Sequence, residues 1–183
     1  MVCSAKRSAV NGVSAGFEPV SGDAATVLIL GTLPGRISLL RGEYYAQSRN
    51  AFWRIMGDLF GAGPQLPYAE RTRRLIERRI AVWDVCASAE RRGSLDSAID
   101  AKSVVVNDFP AFLSTQRNIE MIAFNGAVAQ ALYNSRVRPD LAAGPRHIGQ
   151  LRLPSTSPAH AAITYERKLA AWSAIRRRRG GRE

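Results

Sequence analysis

The feature that most constrains the fold is the segment 27–35, where four consecutive aliphatic residues lead into a loop bounded by Gly31 and Gly35. A short aliphatic run rich in β-branched residues is typical of a strand covered on both faces. Ligands of open α/β sheets collect at the carboxyl ends of strands, where glycine lets the backbone approach them closely. We therefore predict a buried strand over 27–31 and a pocket wall after it, with an ordinary strand-to-loop turn as the alternative.

The length, net charge, and cysteine and histidine content of the chain limit the class of protein to which it can belong. A chain of 183 residues is long enough for one domain with a sizeable core. The formal net charge of +11 favours a polyanionic partner, most commonly nucleic acid, although a codon preference for arginine is an alternative source of the charge. Cys3 and Cys86 form no disulfide framework, and only His147 and His160 are available for zinc, so we expect no metal.

Membrane and secretion signals are not evident. No apolar run approaches the length of a membrane span, and the first 22 residues lack a secretory apolar segment. We expect a cytoplasmic monomer that makes no membrane contact.

The periodicity predicts alternating strands and helices. The strands are predicted over 27–31, 80–85, 119–124 and 148–153, and the helices over 51–60, 68–79, 108–114, 127–134 and 162–178. The segments 32–50 and 86–103 show no regular period and are predicted as long loops. Such alternation is typical of a mostly parallel four-stranded sheet with helices on both faces. The loops 31–35, 84–88, 125–126 and 154–160 should then meet at one sheet edge.

The domain organisation is predicted to be simple. Residues 1–20 are expected to be loosely ordered, 21–175 to form the domain, and 176–183 to form a basic tail. The four successive arginines of that tail either bind phosphate non-specifically or are merely solvated. Between residues 36 and 54, arginines interleave with aromatic residues, a pattern that favours phosphate contact and base stacking.

The order and spacing of several segments resemble the uracil-DNA glycosylase superfamily, and most of all its hypoxanthine-DNA (deoxyinosine) glycosylase group. The resemblance covers residues 17–172, and its segments are LILGTLPG (28–35), GEYY (42–45), RNAFW (49–53), WDVCAS (83–88), GSLD (93–96), NDF (107–109), FNG (124–126) and LPSTSPA (153–159). It implies a three-layer α/β/α sandwich that flips a damaged base out of DNA and hydrolyses its N-glycosidic bond. It implies no cofactor, and DNA as the partner.

Two departures from the superfamily bear on the mechanism. Most members carry a polar residue in the first motif that positions the attacking water, and Leu33 stands there in this chain. The histidine that opens the second motif of the uracil-specific enzymes corresponds to Leu153. The hypoxanthine group looks to use the asparagine of its Arg-Asn-x-Phe-Trp segment instead, which is Asn50 here. Its usual preceding His-Pro is Gln47-Ser48 in this chain.

The resemblance implies a role for each candidate residue, beside a plainer alternative. Asn50 would position water or substrate, or serve as a helix N-cap, or both. Phe52 would stack on the flipped base, or simply belong to the core. Asp84 would accept a hydrogen bond from N1–H of hypoxanthine, or cap a turn. Asn125 would contact base or backbone, or occupy a left-handed turn position.

The predicted sites combine these residues with their neighbours. The predicted base pocket comprises Gly31, Thr32, Leu33, Pro34, Tyr45, Phe52, Asp84 and Asn125. The predicted DNA contacts are Arg36, Arg49, Ser155, Thr156, Ser157, Ala159 and His160. For the residues of 155–160, a plain strand-to-helix turn is the alternative.

We therefore predict a monofunctional DNA glycosylase for deaminated purine, with hypoxanthine as the favoured base. No lysine lies in the four strand-end loops, so Schiff-base lyase chemistry is not expected. Uracil or xanthine as the target base, a non-catalytic DNA-binding relative and, more remotely, a nucleoside hydrolase are the alternatives.

Overall fold

The computed structural model of the chain describes residues 12–141 and 148–179. Its strands are β1 (Val13–Ala15), β2 (Val27–Gly31), β3 (Ile80–Asp84), β4 (Cys86–Glu90), β5 (Val105–Val106), β6 (Met121–Asn125) and β7 (Gly149–Leu153). Its helices are α1 (Arg36–Arg41), α2 (Phe52–Phe60), α3 (Tyr68–Glu77), α4 (Phe109–Thr115), α5 (Ala127–Leu132), α6 (Arg138–Leu141), α7 (Tyr165–Trp172) and α8 (Ala174–Arg179).

The main sheet confirms the predicted α/β architecture. Its four strands run in the order β3-β2-β6-β7, and every neighbouring pair is parallel. β2 lies at the centre, and all five of its residues are buried. Helices flank this sheet, so the aliphatic run of β2 is covered on both faces, as its composition predicts. The carboxyl ends of all four strands therefore lie at one edge.

The apolar residues and the terminal glycine of helix α2 explain where this helix packs and where it ends. Phe52, Ile55, Met56 and Phe60 are buried along one side of the helix. Gly61 ends the helix in the left-handed conformation, with φ +74°, where a side chain would be strained. The predicted helix over 51–60 is thus confirmed to within one residue.

Both segments predicted as long loops contain regular structure. Helix α1 lies within 32–50 and buries only Ser38, so it has no apolar stripe to reveal it. Strand β4 lies within 86–103 and is stabilised by antiparallel pairing with β1 and β5. These three strands form a second, small sheet, and β1 gives order to a part of the segment 1–20. Residues 1–11 lie outside the described residues.

Two helices also differ from their predicted bounds. The helix predicted over 162–178 is two helices, α7 and α8, separated at Ser173. Helix α5 continues as a π-helix over Tyr133–Val137 and then as α6, beyond the predicted end at residue 134. Helix α8 includes the four arginines 176–179, while residues 180–183 of the predicted tail lie outside the described part of the chain. None of the described helices has the length and apolar character needed to cross a membrane.

Candidate active site

A cavity of about 1000 Å³ opens at the carboxyl edge of the parallel sheet. The ends of β2, β3, β6 and β7 all contribute to it, so the predicted convergence of the four loops is found. Most of the predicted site residues line this cavity: Gly31, Thr32, Leu33, Pro34, Arg36, Tyr45, Asn50, Asp84, Asn125, Ser155, Thr156, Ser157, Ala159 and His160. Phe52 and Arg49 do not line it.

Gly31, Tyr45 and Asp84 meet in the cavity wall at the end of β2. A Cβ atom at Gly31 would clash with Asp84 Oδ1 and would lie 2.8 Å from Tyr45 Oη, so only glycine fits there. Tyr45 Oη and Asp84 Oδ2 are both buried, and neither has a hydrogen-bond partner among the described residues. Because buried polar atoms are normally paired, these two atoms are prepared for a ligand that supplies partners.

The surroundings of Asp84 favour the protonated form of its carboxyl group. Burial raises its pKa to about 8, the charge of Asp96 adds to the rise, and the Arg91 guanidinium opposes it. A neutral carboxyl group both donates and accepts a hydrogen bond, unlike the carboxylate expected from the sequence. Asn107 Nδ2 donates to the backbone carbonyl of Asp84 at 2.8 Å and fixes this strand end.

Tyr44 and Tyr45 are the tyrosines that line the cavity, and Phe52 does not line it, which corrects the expectation for Phe52. Phe52 has no exposed surface, because its side of α2 packs into the core and its ring meets Trp172 edge-on. Its ring stacks on that of Tyr45, with centroids 3.9 Å apart. The cavity wall therefore presents Tyr45, with Phe52 behind it.

Asn50 lies in the cavity wall just before α2. Its Oδ1 accepts a hydrogen bond from the backbone N–H of Phe52 at 3.0 Å, which is a helix-capping contact. Its Nδ2 has no hydrogen-bond partner among the described residues and is available to a ligand. Next to it, the N–H of Ala51 donates to the carbonyl of Thr156 at 3.0 Å, which joins this segment to the loop after β7.

Asn125 and Thr156 join the ends of β6 and β7. Asn125 Nδ2 donates to Thr156 Oγ1, and Asn125 Oδ1 accepts from the Thr156 N–H, both at 2.9 Å. Both residues are buried. The amide of Asn125 is therefore already hydrogen-bonded to protein atoms. These bonds hold the loop that contains Ser155 and Ser157 in place.

That loop ends at the exposed residues Ala159 and His160 on the cavity rim. The Ser155 hydroxyl accepts from the N–H of Ser157 at 3.2 Å, and the Ser157 hydroxyl accepts from the N–H of Ala159 at 3.3 Å. The two serines thus stabilise the strand-to-helix turn, which is the alternative role predicted for these residues. Their remaining hydroxyl protons can still be donated to a phosphate.

A cluster of Thr32, Arg91 and Asp96, which the sequence did not reveal, lies beside the cavity; Thr32 and Arg91 are buried, and Asp96 is partly exposed. The Arg91 guanidinium donates to the carbonyls of Leu33, at 3.1 Å, and of Pro34, and lies 3.7 Å from Asp96. Thr32 Oγ1 donates to Asp96 Oδ2 at 2.9 Å. Burial raises the pKa of Asp96 and lowers that of Arg91. In the sequence, only Asp96 of the segment GSLD (93–96) points to this cluster. Arg91 does not stand out, because the chain contains many arginines.

The two positions that depart from the superfamily are apolar parts of the wall. Leu33 and Leu153 both line the cavity and are almost completely buried. Neither side chain can hold a water molecule, and the Leu33 carbonyl is directed to Arg91. Among the described residues, no three His, Cys, Asp or Glu side chains gather into a group that could hold a metal ion.

Comparisons with known proteins agree with this architecture. The family model of the uracil DNA glycosylase superfamily matches residues 19–176. Hypoxanthine DNA glycosylase of Methanosarcina barkeri is 35% identical over 112 residues, which cover 61% of this chain and 70% of that protein. The enzyme of the same name from Methanosarcina acetivorans is 34% identical over 118 residues, covering 64% and 73%.

A solved structure is similar over nearly the whole fold. It is the solution NMR structure of a Methanosarcina acetivorans protein provisionally described as a uracil DNA glycosylase. The two chains superpose with a TM-score of 0.74 at 30% identity, covering 91% of this chain and 98% of the other.

Proposed function

This chain belongs to the uracil DNA glycosylase superfamily, and from that premise we propose that it is a monofunctional glycosylase that removes hypoxanthine from DNA. The relatives named hypoxanthine DNA glycosylase support this choice of base. The observation that carries the proposal is the pair of buried, unpartnered atoms Asp84 Oδ2 and Tyr45 Oη in the cavity wall. The enzyme is proposed to act as a cytoplasmic monomer on damaged duplex or single-stranded DNA.

Asp84 recognises the Watson–Crick edge of the flipped base. Hypoxanthine presents the donor N1–H beside the acceptor O6, and a protonated carboxyl group offers the complementary acceptor and donor. The O–H of Asp84 donates to O6 while its other oxygen accepts from N1–H. Tyr45 contributes its ring face, and its hydroxyl is the second donor. Because a deaminated base is weakly paired, extruding it costs less than extruding a normal base.

Asn50 serves the hydrolysis. The C1′–N9 bond breaks, the electron pair leaves with the base, and the sugar develops oxocarbenium character, by analogy with glycoside hydrolysis. The hydrogen bond from Asp84 to O6 stabilises the negative charge on the departing base. The Asn50 amide holds the water that adds hydroxide to C1′, and the released proton passes to the base through solvent. The product is an abasic site.

Neither of the two described lysines, Lys102 and Lys168, lines the cavity. Lys6 lies outside the described residues. The proposed mechanism accordingly uses no Schiff base with the sugar. Arg36, Arg49 and the residues of 155–160 hold the phosphates on either side of the flipped nucleotide.

Uracil is the second candidate base, because it carries the same N–H and carbonyl pair, and xanthine is the third. The test is cleavage of labelled duplexes containing hypoxanthine, uracil or xanthine, with alkali to break abasic sites. Cleavage at hypoxanthine supports the proposal, and cleavage at uracil or xanthine alone overturns the choice of base. Salt-sensitive binding without cleavage of any duplex identifies a non-catalytic relative, in which Leu33 explains the inactivity.

A further inference from the structure

Among the described residues, the cavity wall contains two carboxyl groups, those of Asp84 and Asp96. In the proposed function Asp84 contacts the base, and the apolar side chains of Leu33 and Leu153 offer no proton acceptor to the attacking water. His160, the histidine of the wall, lies on its exposed rim. Asp96 is therefore the carboxyl group of the wall that the proposed mechanism does not use.

Asp96 is attached to the loop at the end of β2, although it lies on the segment that follows β4. Thr32 precedes Leu33 in this loop, and its buried side chain donates from Oγ1 to Asp96 Oδ2 at 2.9 Å. Asp96 thus brings a carboxyl group beside the position where Leu33 has only an apolar side chain.

The two oxygens of Asp96 have different surroundings. Oδ2 is fixed by Thr32, whereas Oδ1 lies 3.7 Å from the Arg91 guanidinium, beyond hydrogen-bond distance. Oδ1 accepts no hydrogen bond from the described residues, and 38% of the Asp96 side chain is exposed. The carboxyl group is therefore held by one oxygen and can accept a proton from cavity water with the other.

The electrostatic surroundings suit a proton acceptor. Burial raises the pKa of Asp96, while the Thr32 hydrogen bond and the Arg91 charge oppose the rise and favour the carboxylate. A carboxylate whose pKa is raised towards the working pH is a stronger base. Burial also raises the pKa values of the other titratable groups that interact with its charge, which favours their neutral forms. These groups are Asp84, Tyr45 and Cys86.

From this geometry we propose that Asp96 is the general base of the hydrolysis, the catalytic residue that takes the proton of the attacking water. The inference rests on the proposed function. Asn50 holds the water, whose oxygen bonds to C1′ while the C1′–N9 bond breaks and its electron pair leaves with the base. The water proton passes to Asp96 Oδ1 and from there, through solvent, to the base.

The test compares wild type with Asp96→Asn in single-turnover cleavage of a hypoxanthine duplex. Asparagine keeps an oxygen that can accept from Thr32 but cannot take up a proton, so we expect the rate to fall at least about a hundredfold. Affinity for a duplex with a tetrahydrofuran abasic analogue, which involves no proton transfer, should not weaken. Asp100→Asn is the matched control, because Asp100 is exposed and does not line the cavity, and it should cleave like wild type.

The pH profile distinguishes a base from a residue that only holds the loop. In wild type, the cleavage rate should rise with pH on the acid side as Asp96 ionises, and Asp96→Asn should lack this rise. Thr32→Val removes the hydrogen bond that lowers the pKa of Asp96, so in this variant the rise should move to higher pH.

Three results overturn the inference: cleavage by Asp96→Asn at the wild-type rate, a loss of cleavage accompanied by weaker binding of the abasic analogue, or an acid-side rise that persists in Asp96→Asn. If one of these occurs while wild type cleaves hypoxanthine, the proposed function stands and only the role of Asp96 fails. If wild type cleaves none of the hypoxanthine, uracil and xanthine duplexes, both fail.

Discussion

The ring of Tyr45 lies almost flat against the ring of Phe52, with 3.9 Å between centroids and 21° between planes. Tyr45 adopts a left-handed backbone conformation, with φ +55°, which is uncommon for a residue with a side chain. The buried Phe52 ring holds Tyr45 in this position, so the core of α2 fixes the aromatic wall of the cavity. Single substitutions can test the groups around that wall one at a time.

Tyr45→Phe removes a buried hydroxyl that has no hydrogen-bond partner in the described part of the chain. We expect the free energy of unfolding to rise by up to about 1 kcal/mol, because an unsatisfied buried polar group is destabilising. Cleavage at hypoxanthine should fall, since the hydroxyl is proposed to contact the base. Urea denaturation and single-turnover cleavage measure the two effects. A drop in stability together with unchanged cleavage would contradict both expectations.

Asn50→Ala should reduce the rate of cleavage at least about a hundredfold, while removal of the cap reduces the free energy of unfolding by only about 1 kcal/mol. Single-turnover rates and urea denaturation give both values. Asn50→Ser is the matched control, because serine caps helices well but has no amide. If Asn50→Ser cleaves like wild type, Asn50 is a cap and not a catalytic residue.

The stability of wild type should fall as pH rises from 4 to 8, relative to Asp84→Asn. The pKa of Asp84 is about 8 in the folded state against an ordinary value of 3.8. Over this window the unfolded chain releases a proton that the folded protein keeps, so unfolding becomes more favourable by up to about 1.4 kcal/mol per pH unit. Denaturation series of both proteins give this difference, and a flat difference would show that Asp84 is ionised in the folded protein.

Arg91→Ala should lower the free energy of unfolding by about 3 kcal/mol, because it leaves two loop carbonyls and Asp96 without their buried partner. Adding Asp96→Asn should recover part of this stability, and a double-mutant cycle measures the coupling. Arg92→Ala, next along the chain but exposed, should change stability by less than about 0.5 kcal/mol. Equal effects of the two alanine variants would refute a special role for Arg91.

Ending the chain at Ile175 removes the four consecutive arginines of the tail and keeps Ile175, which is buried in the core. Duplex binding should weaken, and the slope of log affinity against log salt should become shallower by about 0.9 for each phosphate that the tail neutralises in the full-length protein. Cleavage should persist. Complete abolition of cleavage, with folding intact by circular dichroism, would place the tail within the active site.

The sequence predicted the elements that have an apolar period or a buried run. The strands of the main sheet and α2 were predicted nearly to the residue, because burial dictates their composition. Helix α1 and strand β4 were missed, since α1 buries only Ser38 and β4 depends on pairing with β1 and β5. The sequence of β4 alone does not show that β1 and β5 will pair with it.

The same limit applies to the site. The residues that line the cavity follow strand ends, so topology was enough to bring them together. Three facts depended on how side chains pack: the burial of Phe52 behind Tyr45, the raised pKa of Asp84, and the hydrogen bonds from Arg91 to the loop that contains Leu33. Each required the packed structure.

The strand order of the main sheet has a consequence for how the protein folds. The central strand β2 pairs on one side with β6, so Val27 meets Met121, and β6 in turn pairs with β7. Pairings between such distant segments form late and fold slowly. During synthesis β3 is made before β6, so the edge of β2 that pairs with β6 has no partner strand until residue 125 has been made. The cavity is completed only when β7 and the loop after it join the sheet, because residues 152–160 form one part of its wall.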